Sequence, residues 1–174
     1  MSSNEEFARA FMAELRLLGD DVETHVRAIW QESMQTAAEA VVIGNSFGPG
    51  VPVDTGFLRA SFRLGLNTPQ DGPTAPPAGL PQGGGLPAQL DLATISRAEL
   101  GETVYLTTDA EYAVPLEEGT YSRGDKSGTF SRRTSEQQLK NLKGTMGPTP
   151  FVAPVVARWQ SIVDDAARRT KGVP

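Results

Sequence analysis

The amino-acid sequence predicts an α+β fold in a single domain, residues 1–174: a long N-terminal helix, a small antiparallel β-sheet, a short helix and a C-terminal helix. Three observations predict this fold. Apolar residues recur every three or four positions over residues 4–43, which is the helical period. They alternate over residues 61–66, which is the strand period, and the helical period returns after residue 150. A chain of 174 residues is long enough to bury such a core.

The opening segment has the signals of one long helix. Ser3 followed by Glu6 fits a capping box, in which the two side chains satisfy free backbone N–H groups. The apolar face consists of Phe7, Phe11, Leu15, Leu18, Val22, Val26, Ile29, Ser33, Ala37 and Val41. Gly19 and Asp20 interrupt this face, so we expect a kink or a second helix capped by Asp20. About 40 helical residues would extend ~60 Å, which exceeds one small core, so we expect part of the helix to pack against another chain.

The middle of the chain predicts turns, strands and a short helix. Glycine and proline over residues 44–52 end the first helix, and Asp54 or Thr55 is expected to cap a helical turn that runs through Arg59. Residues 61–66 predict the first strand. Two further strands are predicted at residues 92–99 and 103–108, and a short helix at 110–118, capped by Asp109 and closed by Gly119.

Two long segments predict loops. Residues 68–89 contain six prolines and five glycines in 22 positions, a density that excludes a helix or a central strand. Residues 120–148 predict a polar, basic loop in a chain whose net charge is −5. Between residues 121 and 145 six basic side chains stand against two acidic ones: Arg123, Lys126, Arg132, Arg133, Lys140 and Lys143. An anionic partner, contact between copies, or simple solvation would each suit this segment.

The last helix has two predicted starting points. Thr149 could cap it with Pro150 at its first position, or Pro154 could move the start nearer to Ala153. Its apolar stripe consists of Phe151, Val155, Trp159, Ile162 or Val163, and Ala166. Arg168, Arg169 and Lys171 favour the negative end of the helix dipole.

Composition excludes several kinds of site. The chain has no cysteine, so it has no disulfide and no thiolate for zinc or for nucleophilic attack. One histidine cannot build a multi-histidine metal site, and no stretch is apolar for the ~18 to 20 residues of a membrane helix. The N-terminus is acidic and lacks the features of a signal peptide, so we expect the chain to be made and kept inside a cell, or inside something assembled in one. We expect no cofactor and no metal.

One enzyme motif is present and is weighed as an alternative. Asp54-Thr55-Gly56, preceded by Val53, matches the aspartic proteases, in which a dimer would bring two carboxylates around one water. Such a protease is almost wholly β, whereas this chain begins with some forty helical residues. No set of nucleophile, base and oxyanion donor is found elsewhere, so we expect no catalysis.

Three segments in a fixed order carry a family resemblance. They are residues 52–61, 112–120 and 150–156, which read Pro-Val-Asp-Thr-Gly-Phe-Leu-Arg-Ala-Ser, Tyr-Ala-Val-Pro-Leu-Glu-Glu-Gly-Thr and Pro-Phe-Val-Ala-Pro-Val-Val. Together they resemble the HK97 gp10-like family of tailed-bacteriophage neck and tail-completion proteins. The matching positions, expected to serve structure or subunit contact, are Asp54, Thr55, Gly56, Leu58, Arg59, Tyr112, Ala113, Glu117, Gly119, Thr120, Pro150, Phe151 and Pro154. The segment 68–89 departs from the pattern as an insertion, and 121–149 is also long.

The resemblance implies a structural virion protein at the head–tail junction, assembled in the bacterial host cytoplasm. Its implied partners are further copies in a ring, with six preferred and twelve still open near the portal, and other neck, connector and tail-tube proteins. It leaves open a tail terminator, a completion factor or a separate neck layer. A passing contact with DNA in the channel would use the basic loop, and a dedicated nucleic-acid contact protein is the remaining alternative. The resemblance implies no catalysis, no cofactor and no membrane.

Overall fold

The computed structural model describes residues 3–52, 56–74, 87–111, 113–118 and 150–171. In chain order its elements are α1 (Ser3–Val42), α2 (Phe57–Ser61), β1 (Arg63–Leu66), α3 (Ala93–Ser96), β2 (Val104–Thr107), α4 (Ala113–Glu118), α5 (Ala153–Ala157) and α6 (Trp159–Thr170). The predicted α+β fold is confirmed, with its long first helix, antiparallel strand pair and short C-terminal helices. Residues 75–86 of the Pro/Gly-rich loop and all of the predicted basic loop, 120–148, lie outside the described residues.

Helix α1 runs for 40 residues without a break. Of the two expectations at Gly19 and Asp20, a kink or a second helix, the second helix is therefore wrong. An exposed glycine costs a helix only about 1 kcal/mol relative to alanine, and the helical hydrogen bonds continue past it. The Thr24 hydroxyl donates to the Asp20 carbonyl at 2.8 Å, and Arg27 pairs with Glu23 one turn earlier at 2.8 Å. Only the second half of α1 lies on the body, because residues 9–24 are all exposed.

Helix α2 begins after a glycine in a left-handed conformation. Gly56 has φ 79° and is the N-cap residue, and its carbonyl accepts the Ala60 N–H at 3.0 Å. The expectation that Asp54 or Thr55 occupies the cap position is therefore wrong, since glycine adopts this backbone geometry without the steric cost other residues meet. Strand β1 follows, as the alternation of residues 61–66 predicts, although the strand itself starts at Arg63.

Within the described residues the sheet has two antiparallel strands, β1 and β2, with Leu64 opposite Leu106 and Leu66 opposite Val104. The predicted strand at 92–99 is wrong, because this segment contains α3 instead. Asp91 starts the turn: its carbonyl accepts the Thr94 N–H at 3.0 Å and its carboxylate accepts the Thr94 hydroxyl at 3.1 Å. This local bonding favours a helical turn, and it points Ile95 into a small cluster with Ala38 of α1 and Leu64 of β1.

Helix α4 is shorter than predicted, since it starts at Ala113 rather than residue 110. Asp109 does not cap it, because its carboxylate accepts the N–H of Gly72 at 2.6 Å and so ties the segment after β1 to the segment after β2. The helix ends at Glu118, where the sequence predicts its end.

The C-terminal helix is two helices, α5 and α6, joined by a turn at Arg158. Helix α5 begins at Ala153, so the start at Pro150 is wrong and the start near Ala153 is confirmed. Ile162 and Ala166 of α6 are fully buried where α6 packs on α1. Arg169, near the end of α6, donates to Glu32 of α1 at 2.6 Å and so bridges the two helices beside their buried contact.

Candidate functional site

The three segments that carry the family resemblance meet in one core cluster. Phe57, Leu58 and Phe62 come from or directly follow the first segment, Ala113 comes from the second, and Phe151 and Val155 come from the third. All six are buried together with residues 40–42 of α1. Segments separated by dozens of residues along the chain thus form one packed unit, and any change in one segment is felt by the other two.

Phe151 joins the third segment to the start of the sheet. Its ring meets Phe62 edge to face, with centroids 6.2 Å apart and ring planes at 89°. Both rings are almost fully buried. An edge-to-face pair of this kind adds about 0.5–1.5 kcal/mol beyond the area that it buries.

Glu117 joins the second segment to the third. Its Oε2 accepts the N–H of Phe151 at 2.7 Å and that of Val152 at 3.0 Å, and its Oε1 accepts the N–H of Ala153 at 2.8 Å. The N-cap residue of α5, Val152, offers no side-chain oxygen of its own. A carboxylate from α4 therefore satisfies the free N–H groups at the start of α5 and places a negative charge at the positive end of its dipole.

The first segment holds two further polar side chains in or near the core. The Ser61 hydroxyl is fully buried and lies 2.8 Å from the Leu58 carbonyl and 2.6 Å from the Thr108 hydroxyl. The Arg59 side chain is partly buried, and its Nε has no hydrogen-bond partner among the residues that the structure describes. Ser61 is therefore a core residue, although strand alternation places it on the polar side.

Several predicted site residues lie outside the described part of the chain. From the resemblance these are Asp54, Thr55, Tyr112, Gly119 and Thr120. From the basic loop they are Arg123, Lys126, Arg132, Arg133, Lys140 and Lys143. Of the remaining motif positions, Leu58, Ala113 and Phe151 belong to the packed unit. Gly56 is the N-cap of α2, Glu117 binds the backbone at the start of α5, and Pro150 and Pro154 flank that start.

The first half of α1 presents apolar side chains to solvent. Leu15, Leu18 and Val22 are about half exposed, at 45%, 60% and 54%. Their spacing places them on one helix face. The sequence predicts this face and predicts that part of the helix lies beyond its own core, and both expectations agree with the exposure found here.

A second apolar surface lies on the body. An open groove of about 290 Å³ runs between the second half of α1, the sheet and α5. Every side chain that lines it is apolar: Met34, Ala37, Ala38, Val41, Leu64, Val104, Leu106, Val152, Val155, Val156 and Trp159. Val156 is 66% exposed and Trp159 is 38% exposed. Sequence reasoning missed this groove, because the helical stripe indicates which residues are apolar but not which of them stay uncovered.

The titratable side chains of the described residues make local contacts. In this part of the chain no group of three or more His, Cys, Asp and Glu residues could hold a metal ion. Two carboxyl groups have a pKa below the ordinary value: Glu102, through the Glu99 N–H and then the Asn67 amide, and Asp165, through Arg168 and then Arg169. Both shifts come from contacts that hold neighbouring structure in place. Among the helices described, none is long and apolar enough to cross a membrane.

Comparison with known proteins leaves the family open. No family model, no curated protein and no solved structure matches the chain. The resemblance of the three segments to phage neck proteins therefore stays a prediction made from their residues.

Proposed function

We propose that the protein is a structural subunit of a tailed-phage virion, which assembles as a ring at the head–tail junction. Copies of the chain would join or terminate the tail at the neck, in contact with connector and tail-tube proteins. The work of such a subunit is done by shape and by repeated contacts, without a reaction or a cofactor.

The observation that carries the proposal is the exposure of the first half of α1. A 40-residue helix is about 60 Å long, and residues 9–24 extend beyond the body with half-exposed leucines on one face. Monomeric soluble proteins rarely expose contiguous apolar patches of more than a few hundred Å². Such an arm is well suited to a subunit whose neighbours complete its packing.

The packing of the three motif segments supports the phage assignment. Residues that resemble one family signature are expected to serve one structural unit. Here Glu117 of the second segment binds the backbone of the third, and Phe151 of the third packs on Phe62, directly after the first. These contacts give Glu117 and Phe151 a structural role, and the proposal needs no reacting group at either position.

The test is the mass of the assembled protein together with its location. Native mass measurement and negative-stain imaging of the purified chain should give closed rings, with six copies preferred and twelve the alternative. Particles of the phage that encodes the chain should contain it at the same stoichiometry, at the neck. A chain that remains a monomer at high concentration and is missing from phage particles would contradict the proposal.

The protease alternative has a separate readout. Under the proposal an Asp54→Asn substitution leaves ring formation intact, because asparagine has nearly the same shape as aspartate and the proposed function uses no carboxylate chemistry. Under the protease reading the same substitution would abolish cleavage of peptide substrates by the parent chain. Detectable cleavage that disappears in the variant would replace the proposed function with the enzyme.

A further inference from the structure

The exposed part of α1 carries a continuous apolar stripe, which we call the arm stripe: Leu15, Leu18, Val22 and Val26. Each of these side chains is between 45% and 60% exposed. Steps of three and four residues place all four within a narrow sector of the helix surface. Leu17 is also exposed, at 69%, but it points to the opposite side of the helix. It therefore provides a matched position outside the stripe.

Toward the C-terminus of α1, the arm stripe continues into a helix face that packs against the body of the same chain. After Val26 the same spacing runs through Ile29, Ser33, Thr36 and Ala40, and the last three are buried. Along this stretch α1 packs against α6, where Arg169 bonds Glu32. This face of α1 is thus buried against the body over the second half of the helix and about half exposed along the arm stripe. A period close to 3.5 residues is the pattern of a helix face that packs on other helices.

The groove on the body is lined by apolar side chains, which suits it to contact an apolar helix face. We call it the apolar groove; its uncovered rim includes Val152, Val156 and Trp159. Helix-in-groove recognition uses anchors at positions i, i+3 or i+4, and i+7, which the arm stripe supplies as Leu15, Leu18 and Val22.

The arm cannot reach the groove of its own chain. Leu18 and Met34 lie on one unbroken helix, about 24 Å apart along its axis at 1.5 Å per residue. A helix cannot fold back on itself without breaking, so an occupant of the groove that has the sequence of the arm must come from a second copy.

Burial of both surfaces at once favours this contact over pairing of two arms. The arm-stripe side chains Leu15, Leu18, Val22 and Val26 are each about half exposed, so water covers much of this apolar face in the single chain. Pairing of two arms would cover the stripe but leave the groove open to water. Arm-to-groove contact covers both, and it is head-to-tail, the kind of contact that generates rings when its rotation closes.

We propose that the arm stripe of one copy lies in the apolar groove of the next copy. The inference rests on the proposed function in one respect, the self-assembly of the chain, and adds the contact that produces it. Each subunit then gives an arm to one neighbour and receives an arm from the other.

Disulfide trapping tests this contact, because the natural chain has no cysteine. A tagged Leu18→Cys chain is mixed with an untagged Val156→Cys chain, assembled and oxidised. The expected product is the mixed dimer, since a disulfide forms only when the two Cα atoms come within about 7 Å. Leu17→Cys, one position away on the opposite face, replaces Leu18→Cys in the control and should give several-fold less mixed dimer. Circular dichroism of each variant verifies that it is folded, and both positions in the first pair are exposed.

Each result of the trapping experiment points in one direction. Mixed dimers from Leu18→Cys with Val156→Cys, but not from Leu17→Cys, support the contact. Crosslinking of Leu18→Cys chains with each other and not with Val156→Cys would show that arms pair, and would overturn it. Rings in negative stain without the mixed dimer would also overturn it, while the proposed function would stand. A mixed dimer from a chain that is missing from phage particles would keep the contact and remove the proposed function.

Discussion

The Glu117 carboxylate accepts the backbone N–H of Phe151 at 2.7 Å, and this contact connects two helices that are far apart in the chain. The same carboxylate binds the next two N–H groups, so the beginning of α5 is organised by a side chain of α4. Through Phe151 this contact reaches the edge-to-face pair with Phe62. Helix α5 also forms one side of the apolar groove, so Glu117 helps to determine the position of Val152 and Val156 there.

Removing the Glu117 carboxylate should destabilise the fold. Glu117→Ala leaves three N–H groups at the start of α5 without their acceptor, and we expect a loss of about 2 kcal/mol in the free energy of unfolding. Glu117→Gln should lose less, because its amide oxygen still accepts but carries no charge. Urea denaturation measures both. The adjacent, exposed Glu118→Ala is the control and should change stability by less than about 0.5 kcal/mol. Equal stability of the Glu117→Ala and Glu118→Ala variants would show that the contact contributes nothing.

The pair of Phe62 and Phe151 should show energetic coupling. Each residue changed to leucine keeps most of the apolar volume and removes the edge-to-face geometry. A double-mutant cycle of Phe62→Leu and Phe151→Leu should give a coupling of about 0.5–1.5 kcal/mol in unfolding free energy. A cycle of Phe62→Leu with the distant Thr24→Ala serves as the reference and should be additive. Additivity in both cycles would mean that the rings act only through the area they bury.

Alanine substitutions at two glycines should have opposite effects on folding: one should lower stability and the other should favour the helix. Gly56 has φ 79°, where an L side chain clashes with its own backbone, so Gly56→Ala should lower stability by roughly 1–2 kcal/mol. Gly19 is in the exposed part of α1, and no atom lies within 4 Å of the place that an alanine methyl group would occupy, so Gly19→Ala should increase helix content. Thermal unfolding followed by circular dichroism gives both results. A stable Gly56→Ala variant would contradict the left-handed turn before α2.

The elements that can be predicted from the sequence are those whose own residues show a clear hydrophobic period. Helix α1 and strand β1 each follow from a pattern within their own residues, and both are confirmed. The segment 92–99 has too few residues for a period to decide, and there the bond between Asp91 and Thr94 selects a helical turn. The start of α5 depends on a carboxylate 36 residues before Ala153, and no local pattern contains that information.

The candidate site also has one part that the sequence predicts and one part that it does not. The apolar face of α1 and its excess length can be read from spacing alone, so the arm is predictable. The groove requires α1, the sheet and α5 to come together and leave Val156 and Trp159 uncovered, which is a property of tertiary packing. Periodicity identifies apolar residues, but only the packed structure shows which of them remain at the surface.

The acid side of the stability curve should depend on Glu102. Its pKa is lowered first by the hydrogen bond from the Glu99 N–H and then by the one from the Asn67 side-chain amide, at 2.7 and 2.8 Å. Because the folded pKa lies below the unfolded one, the ionised group stabilises the fold above the ordinary carboxyl range, and this contribution disappears as pH falls through the lowered folded pKa. The parent should therefore be more stable than Glu102→Gln at neutral pH, and the difference should vanish in acid. Denaturation at a series of pH values measures it, with Glu118→Gln as the control. A difference that is independent of pH would contradict the ionised contact.

The backbone at Gly48 lies directly against two helices, since a Cβ there would be 2.5 Å from Val155 Cγ2 and 2.8 Å from the Ala40 carbonyl oxygen. The Ala40 oxygen belongs to α1 and cannot move freely, so Gly48→Ala must push the segment 44–50 away from α1 and α5. Overpacking of this kind costs about 1–3 kcal/mol, which urea denaturation should detect. Val155 lines the apolar groove, so the same substitution should weaken association between copies, as measured by sedimentation. Gly101→Ala is the control: Gly101 has a positive φ, 93°, and no atom lies within 4 Å of its Cβ position, so this substitution introduces backbone strain without overpacking. If Gly48→Ala loses stability and Gly101→Ala keeps full association, the association defect of Gly48→Ala comes from the packing beside the groove. Equal loss of association in both variants would instead assign that defect to general destabilisation.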